Sequence, residues 1–327
     1  MREALFVKNN YNKWKEFEEL LNKKQRVQPD RLASLFITLT DDLAYARTHY
    51  PRSQNTRYLN GLAASVHQEI YRNKKEKSGR FVSFWLYELP LICYEARWQL
   101  FYAFLIFAAA IGLGALSAAN DNTFSRLIMG DAYINMTLEN IASGDPMGVY
   151  KSMGRLEMFI LITLNNIKVS LSTFAFGLLF SVGTGYFLFQ NGVMLGAFQY
   201  FFYQKGLFLT SFLTIWIHGT LEISAIIIAG GAGLVMGNSI LFPGTFPRLE
   251  SFKRGAKKGL KIVIGLIPLF ITAGFLEAFV TRLTDWHWTA KAFIILTSAA
   301  FIVYYFVIYP AQLYKKHATG NPPPPAN

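Results

Sequence analysis

The apolar run WIHGTLEISAIIIAGGAG, Trp216–Gly233, carries an imidazole and a carboxylate four residues apart, His218 and Glu222. On a helix, residues i and i+4 share a face, so the two side chains point the same way. Ionisable residues inside a membrane span are costly, and they face a bundle interior or a wet cavity. Such a pair could move protons or bind a lipid-linked or periplasmic ligand. It falls short of a metal centre on its own, because HxxxE supplies at most two zinc ligands where a catalytic zinc takes three protein ligands and an open position. His287, the next candidate, lies in DWHW, which reads as an interfacial aromatic anchor. No metal site and no cofactor are therefore expected. No Ser or Asp is placed to suggest a triad with His218, so no catalytic set is expected either. The chain contains no GxGxxG and no P-loop pattern.

Few other polar groups fall within apolar segments. Glu277 stands late in LFITAGFLEAFVTR with Arg282 just past it, and Asn165-Asn166 precede another run. With helices rising 1.5 Å per residue, His218 lies roughly 16 Å from the start of its span. Glu222 sits one turn deeper, while Glu277 and the asparagines lie near span ends. These five residues, Asn165, Asn166, His218, Glu222 and Glu277, are expected to gather in the outer half of a bilayer. The bland alternative is a structural network in which His218 and Glu222 bond to each other, to Asn165 or to freed carbonyls and fix helix packing. A second pattern is glycine. Gly192-x-x-x-Gly196 and Gly233-x-x-x-Gly237 have the spacing that lets transmembrane backbones approach, and Gly219 sits beside His218. Tight packing within the bundle is the plain reading of these five glycines, and homo-oligomerisation through one such face the sharper one.

The elements that must position these groups are helical and membranous. Of 327 residues, 52% are hydrophobic and 16% aromatic, and mean hydropathy is +0.26, a profile that excludes an ordinary soluble enzyme. Several runs reach the roughly 20 residues a spanning helix needs. The single cysteine, Cys93, excludes an internal disulfide framework and a thiolate metal site. A net charge of +12 suggests nucleic acid at first sight. In a chain with several spans, positive-inside asymmetry accounts for it, and no nucleic-acid partner is expected.

The sequence predicts an all-α polytopic membrane bundle with a cytoplasmic helical N-terminal domain. Residues 1–97 read as that basic domain. Phe6, Trp14, Phe17, Leu20 and Leu21 recur at helical spacing, as do Leu32, Leu35, Phe36, Leu39 and Leu43. Pro29-Asp30 and Tyr50-Pro51 punctuate the helices, and Arg72, Lys74, Lys75, Lys77 and Arg80 form a basic cluster suited to anionic headgroups. Phe81–Gln99 reads as an interfacial helix. The membrane domain, 98–310, is expected to hold about six spans: 100–118, 169–189, a short piece at 192–204, a 31-residue run at 207–237, 260–281 and 292–309. The short and long pieces call for tilt, a break at His218-Gly219, or a re-entrant pair. Residues 119–157 form an acidic loop with one or two surface helices. Residues 311–327 end in ATGNPPPPAN, a disordered proline-rich tail. No cleavable leader is expected, since the first long apolar run begins near Leu100.

Six crossings place the basic N-terminal region, the basic stretch 238–261 and the tail on one side, and the acidic loop on the other. That predicts a polytopic membrane protein with both termini cytoplasmic. Membrane lipids are the expected partners, with a second copy of the chain a further candidate.

With these residues in view, the chain resembles the stage II sporulation protein M family. Matching pieces are MREALFVKNNYNKWKEFEELL, DLAYARTHYP and YLNGL, then NNIKVSLSTFAFG, FQNGVMLGAF, HGTLEISAIIIAGGAG and GLIPLFITAGFLEAFVTR. The resemblance spans nearly the whole chain. It implies a scaffold in the bacterial cytoplasmic (inner) membrane for extracytoplasmic, peptidoglycan-remodelling partners, with other envelope proteins, membrane-embedded or periplasmic, as what it would bind. It singles out Asn165, Asn166, Gly192, His218, Gly219, Glu222 and Glu277. The proline-rich tail and long N-terminal segment resemble the non-sporulating branch, so a general envelope function is what it implies here. A small transporter or flippase using Glu222, Glu277 and His218 is the alternative, and an intramembrane hydrolase is third.

Overall fold

A computed structural model describes residues 3–22, 29–72, 79–121, 123–151, 153–284 and 286–318. The described residues form helices and turns, with no strand among them. The chain divides into two compact units, 1–78 and 79–326.

The first unit contains α1 (Glu3–Asn22), α2 (Pro29–His49) and α3 (Gln54–Arg72). Their helical-period apolar residues meet in one core of Phe6, Trp14, Phe17, Leu39, Leu43, Ala46, Leu59 and Leu62. The Trp14 indole donates to Asp42 Oδ2 at 2.9 Å, which satisfies the one polar atom that this core buries with the ring. The Glu3 carboxylate ties α1 to the start of α3 by accepting from Ser53 Oγ and from Asn55 Nδ2. The side chains of Leu20, Leu21, Leu32 and Leu35, residues 74, 75 and 77 of the basic cluster, the Arg72 side chain, and the tail from 319 lie outside the described residues.

In the second unit, α4 (Arg80–Ser83) runs through a π-helical turn, Phe84–Glu88, into α5 (Leu89–Glu95). The sequence reads this segment as lying on the membrane surface. Its underside packs into the bundle. Leu89, Ile92 and Cys93 share a core with Ile262, Leu266 and Phe270, and the carbonyls of Trp85 and Leu86 accept from the hydroxyls of Tyr305 and Tyr309 at 2.6 and 2.8 Å.

Five helical segments are long and apolar enough to cross a membrane: Arg97–Asn120, Arg155–Leu178, Phe208–Leu241, Arg248–Thr281 and Trp288–Lys316. They comprise α6 (Arg97–Asn120), α9 (Arg155–Ala175), α11 (Phe208–Leu241), α12 (Arg248–Phe275), α13 (Trp288–Val303) and α14 (Tyr309–Ala318). Between the first two lie α7 (Phe124–Met129), α8 (Asp131–Ala142) and a 3-10 turn, Gly148–Lys151, and between the second and third lies α10 (Val182–Gln204). Large apolar side chains such as Leu113, Leu116, Phe293 and Leu296 point outward, as lipid-facing residues do.

Two boundaries differ from the sequence reading. The second apolar helix is not 169–189. It begins at Arg155, and the chain reverses at 176–181, where Phe180 and Ser181 have positive φ of 50° and 69°. The following helix gains ten residues and is a full 23-residue element rather than a short piece. Hydropathy cannot register this reversal, because the turn LFSV is as apolar as the helices beside it. The long run does not break at His218-Gly219 either: α11 is one continuous helix of 34 residues, about 51 Å long.

Glycine contacts set the helix spacing. α6 and α10 lie side by side in the same direction, with Gly192 against Phe107 and Ala110, Gly196 against Ile111, and Gly114 against Val193. A Cβ at 192 would meet the Ala110 Cβ at 2.6 Å. Gly233 packs on Thr184 and Thr173, and Gly237 on Ser181 and Gly177. Both GxxxG faces are thus occupied inside one chain. Gly219 differs, since a Cβ there would touch only side chains of its own helix, at 3.5 Å or more.

Candidate functional site

His218 lies ten residues into α11, about 15 Å from its start, and is 5% exposed. Glu222 follows one turn later on the same face. The third member comes from α12, whose last turn opens into a π-helix, Leu276–Thr281. Such turns are frequent at functional sites because they free a carbonyl and re-aim side chains. Here the turn carries Glu277 inward, with Glu277 Oε1 3.8 Å from His218 Nε2. One ligating atom from each of His218, Glu222 and Glu277 lies within 4.8 Å of the others.

Hydrogen bonding fixes the imidazole. Thr281 Oγ1 lies 3.0 Å from His218 Nδ1 and donates to the Leu276 carbonyl at 3.2 Å. A hydroxyl has one hydrogen, so Thr281 accepts from Nδ1–H, and Nε2 presents its lone pair to Glu277. The ring edge of Tyr150, from the 3-10 turn, stands against His218 with centroids 5.7 Å apart. Burial, reinforced by the nearby Glu277, pushes the Tyr150 phenol well above its ordinary range, so it remains a neutral O–H. Tyr133 of α8 is raised by burial in the same way.

Of the five expected cluster residues, the structure brings four together. Asn166 is 5% exposed, lies beside the Glu222 carboxyl, and its Nδ2 has no partner at hydrogen-bonding geometry. Asn165 does not join them; it is exposed on the outer side of α9. Neighbours on a helix are rotated about 100° from one another, so the bundle can enclose only one of the two. His287 also stands apart, capping α13 by accepting from the Thr289 amide. Thr281, Tyr150 and Tyr133 were not read from the sequence. Thr281 could have been, since it shares a helical face with Glu277 at i+4, whereas nothing local marks the two tyrosines.

A polar stripe continues from the cluster along α9. Thr163, Asn166, Ser170 and Thr173 recur every three or four residues and are all buried. Thr163 Oγ1 and Ser170 Oγ have no hydrogen-bond partner, like Asn166 Nδ2. Thr173 is bonded to Val169, and its carbonyl accepts from Thr184 Oγ1 at 2.7 Å.

The cluster and its stripe lie inside the stretch that identifies the chain. The family model for stage II sporulation protein M matches residues 103–282. The chain belongs to this family. The match begins within α6 and ends just past Thr281, so it contains every residue of the cluster. The N-terminal helices match a different model, a domain of unknown function (DUF8413), over residues 4–72. The stage II sporulation protein M likeness therefore covers residues 103–282, within the membrane unit, rather than nearly the whole chain. No curated protein and no solved structure gave a match.

Proposed function

We propose that this chain is a membrane scaffold without chemistry of its own, presenting a helical cap to envelope proteins outside the cytoplasmic membrane. The cap is the segment from α7 through the 3-10 turn. The observation that carries this reading is how the cap is held. Ile134, Met147 and Tyr150 share one core with Met158 of α9, Phe201 and Phe202 of α10, Ile215 of α11 and Ala278 of the π-turn. Two further ties fasten its trailing end, from Lys151 Nζ to Thr284 Oγ1 at 3.3 Å and from Arg282 to the Met153 carbonyl at 2.9 Å. A rigid platform of this kind suits docking, because little ordering entropy is lost on binding. Asp131 and Glu139 stay exposed on it and give it an acidic character. The charge asymmetry of the loops supports a cap outside and both termini in the cytoplasm of a bacterial cell.

Crosslinking mass spectrometry on native membranes, with Asp131→Lys/Glu139→Lys beside the unaltered chain, tests the scaffold. Extracytoplasmic partners crosslinked to the cap should be lost in the variant. An unchanged set of crosslinks, or none at the cap, rejects the proposal.

The α9 stripe favours a second reading, a small transporter in which Glu222 and Glu277 exchange protons. Buried polar atoms without partners, aligned with intramembrane carboxyls, are what a proton path requires. In proteoliposomes carrying an internal pH dye, the unaltered chain should then dissipate an imposed pH gradient, and Glu222→Gln and Glu277→Gln should not.

A further inference from the structure

We propose that His218, Glu222 and Glu277 bind one divalent transition-metal ion of the zinc, manganese or iron(II) class. This goes beyond the scaffold role and does not depend on it.

Geometry comes first. Two ligands of a tetrahedral ion with bonds of about 2.0–2.1 Å stand about 3.3–3.5 Å apart. His218 Nε2 and Glu277 Oε1 are 3.8 Å apart, and all three ligand atoms fall within 4.8 Å. Small rotations of two carboxylates close that set on an ion. Counting ligands along α11 alone gives two; the π-turn of α12 supplies the third.

The supporting residues match what a metal-bound histidine needs. A ligating imidazole donates its other N–H to an oxygen that fixes tautomer and ring angle. Thr281 accepts from Nδ1 in that manner and is itself oriented by the Leu276 carbonyl. Nε2 is left as a lone pair aimed at the other ligands. Asn166 stands beside the set. Its amide is buried next to Glu222, with Nδ2 outside hydrogen-bonding geometry.

Charge decides in favour of a divalent ion. Two ionised carboxylates in a bundle interior would carry a charge of minus two that needs compensation there. Three basic side chains at this end are engaged elsewhere. Arg282 donates to Met153, Lys291 to the Thr284 carbonyl at 3.0 Å, and Lys151 to Asp145 at 2.8 Å. A divalent cation neutralises the pair outright. Imidazole in the ligand set selects a transition metal over calcium or magnesium, which take six or more oxygens. Glu277 keeps 13% of its side chain accessible, which leaves an ion a way in.

The test uses the full chain in detergent, stripped with a chelator and reloaded separately with Zn2+, Mn2+ or Fe2+. After gel filtration, elemental analysis should find about one ion per chain for at least one metal. Glu222→Gln/Glu277→Gln should retain at least tenfold less, and Cys93→Ala should retain the full amount. Thr281→Val should weaken affinity by about 10–100-fold, the usual effect of losing such an orienting partner. Co2+ loaded into the unaltered chain should give the visible bands of nitrogen and oxygen coordination with no sulfur charge-transfer band. That readout decides the matter if the double variant does not fold. Loading below about one ion in ten chains for every metal, no cobalt bands, or an ion kept by a folded double variant overturns the proposal. A proton shared by the two carboxyls is then the occupant. Because the ion is counted on the isolated chain, failure of the scaffold leaves this result untouched.

Discussion

His218 Nδ1 lies 3.0 Å from Thr281 Oγ1, joining the middle of α11 to the last residue of the π-helical turn that follows α12. The same hydroxyl donates to the Leu276 carbonyl at the start of the π-turn. One side chain thus satisfies two buried groups from different helices.

Removing that hydroxyl leaves a buried imidazole N–H unpaired. Thr281→Val should cost about 1–3 kcal/mol, read as a lowered thermal midpoint in detergent. Thr281→Ser keeps the hydroxyl and should stay near the unaltered chain. Equal midpoints for the two variants would mean that the bond carries no stability.

Two glycines should respond with opposite signs. A methyl at Gly192 drives into Ala110 and the Phe107 carbonyl, so Gly192→Ala should destabilise by about 1–3 kcal/mol through overpacking. Gly219 has only ordinary contact at 3.5 Å from Ile223. Gly219→Ala should stabilise by about 0.5–1 kcal/mol, because alanine loses less backbone entropy in a helix. Thermal midpoints of the two variants decide the order.

The adjacent asparagines can be separated by labelling. In a Cys93→Ala background, cysteine at position 165 should react with a lipid-permeant maleimide, while cysteine at 166 should be protected until the protein is unfolded. Equal reactivity would contradict the rotation of α9 that buries Asn166 and exposes Asn165.

The N-terminal unit should weaken in acid. Hydrogen bonds from Ser53 and then Asn55 hold the Glu3 carboxyl below its ordinary value. A lowered folded value means stability that is present above the unfolded value of about 4.3 and lost as pH falls through the folded one. Between about pH 5 and pH 3, the unaltered full chain should therefore lose protection of residues 3–72 from an acid-active protease. Glu3→Gln, already lacking the charge, should show a smaller change over that interval.

The sequence by itself determined what depends on local period and composition. Apolar length made α6, α11 and α12 recognisable as membrane helices. The i, i+4 spacing put His218 and Glu222 on one face, and the glycine pairs marked close helix contacts. Packing decided the rest. Hydropathy adds up residue by residue and is blind to rotation about a helix axis, so it could not choose between Asn165 and Asn166. It was equally blind to the reversal at 176–181, where Phe180 and Ser181 adopt positive φ because the packed helices on either side require a turn. The π-turn that swings Glu277 and Thr281 onto His218, and the cap that sets Tyr150 over it, join residues 59 to 68 positions apart. No local pattern encodes such contacts, because they exist only once α9, α11 and α12 have closed around them.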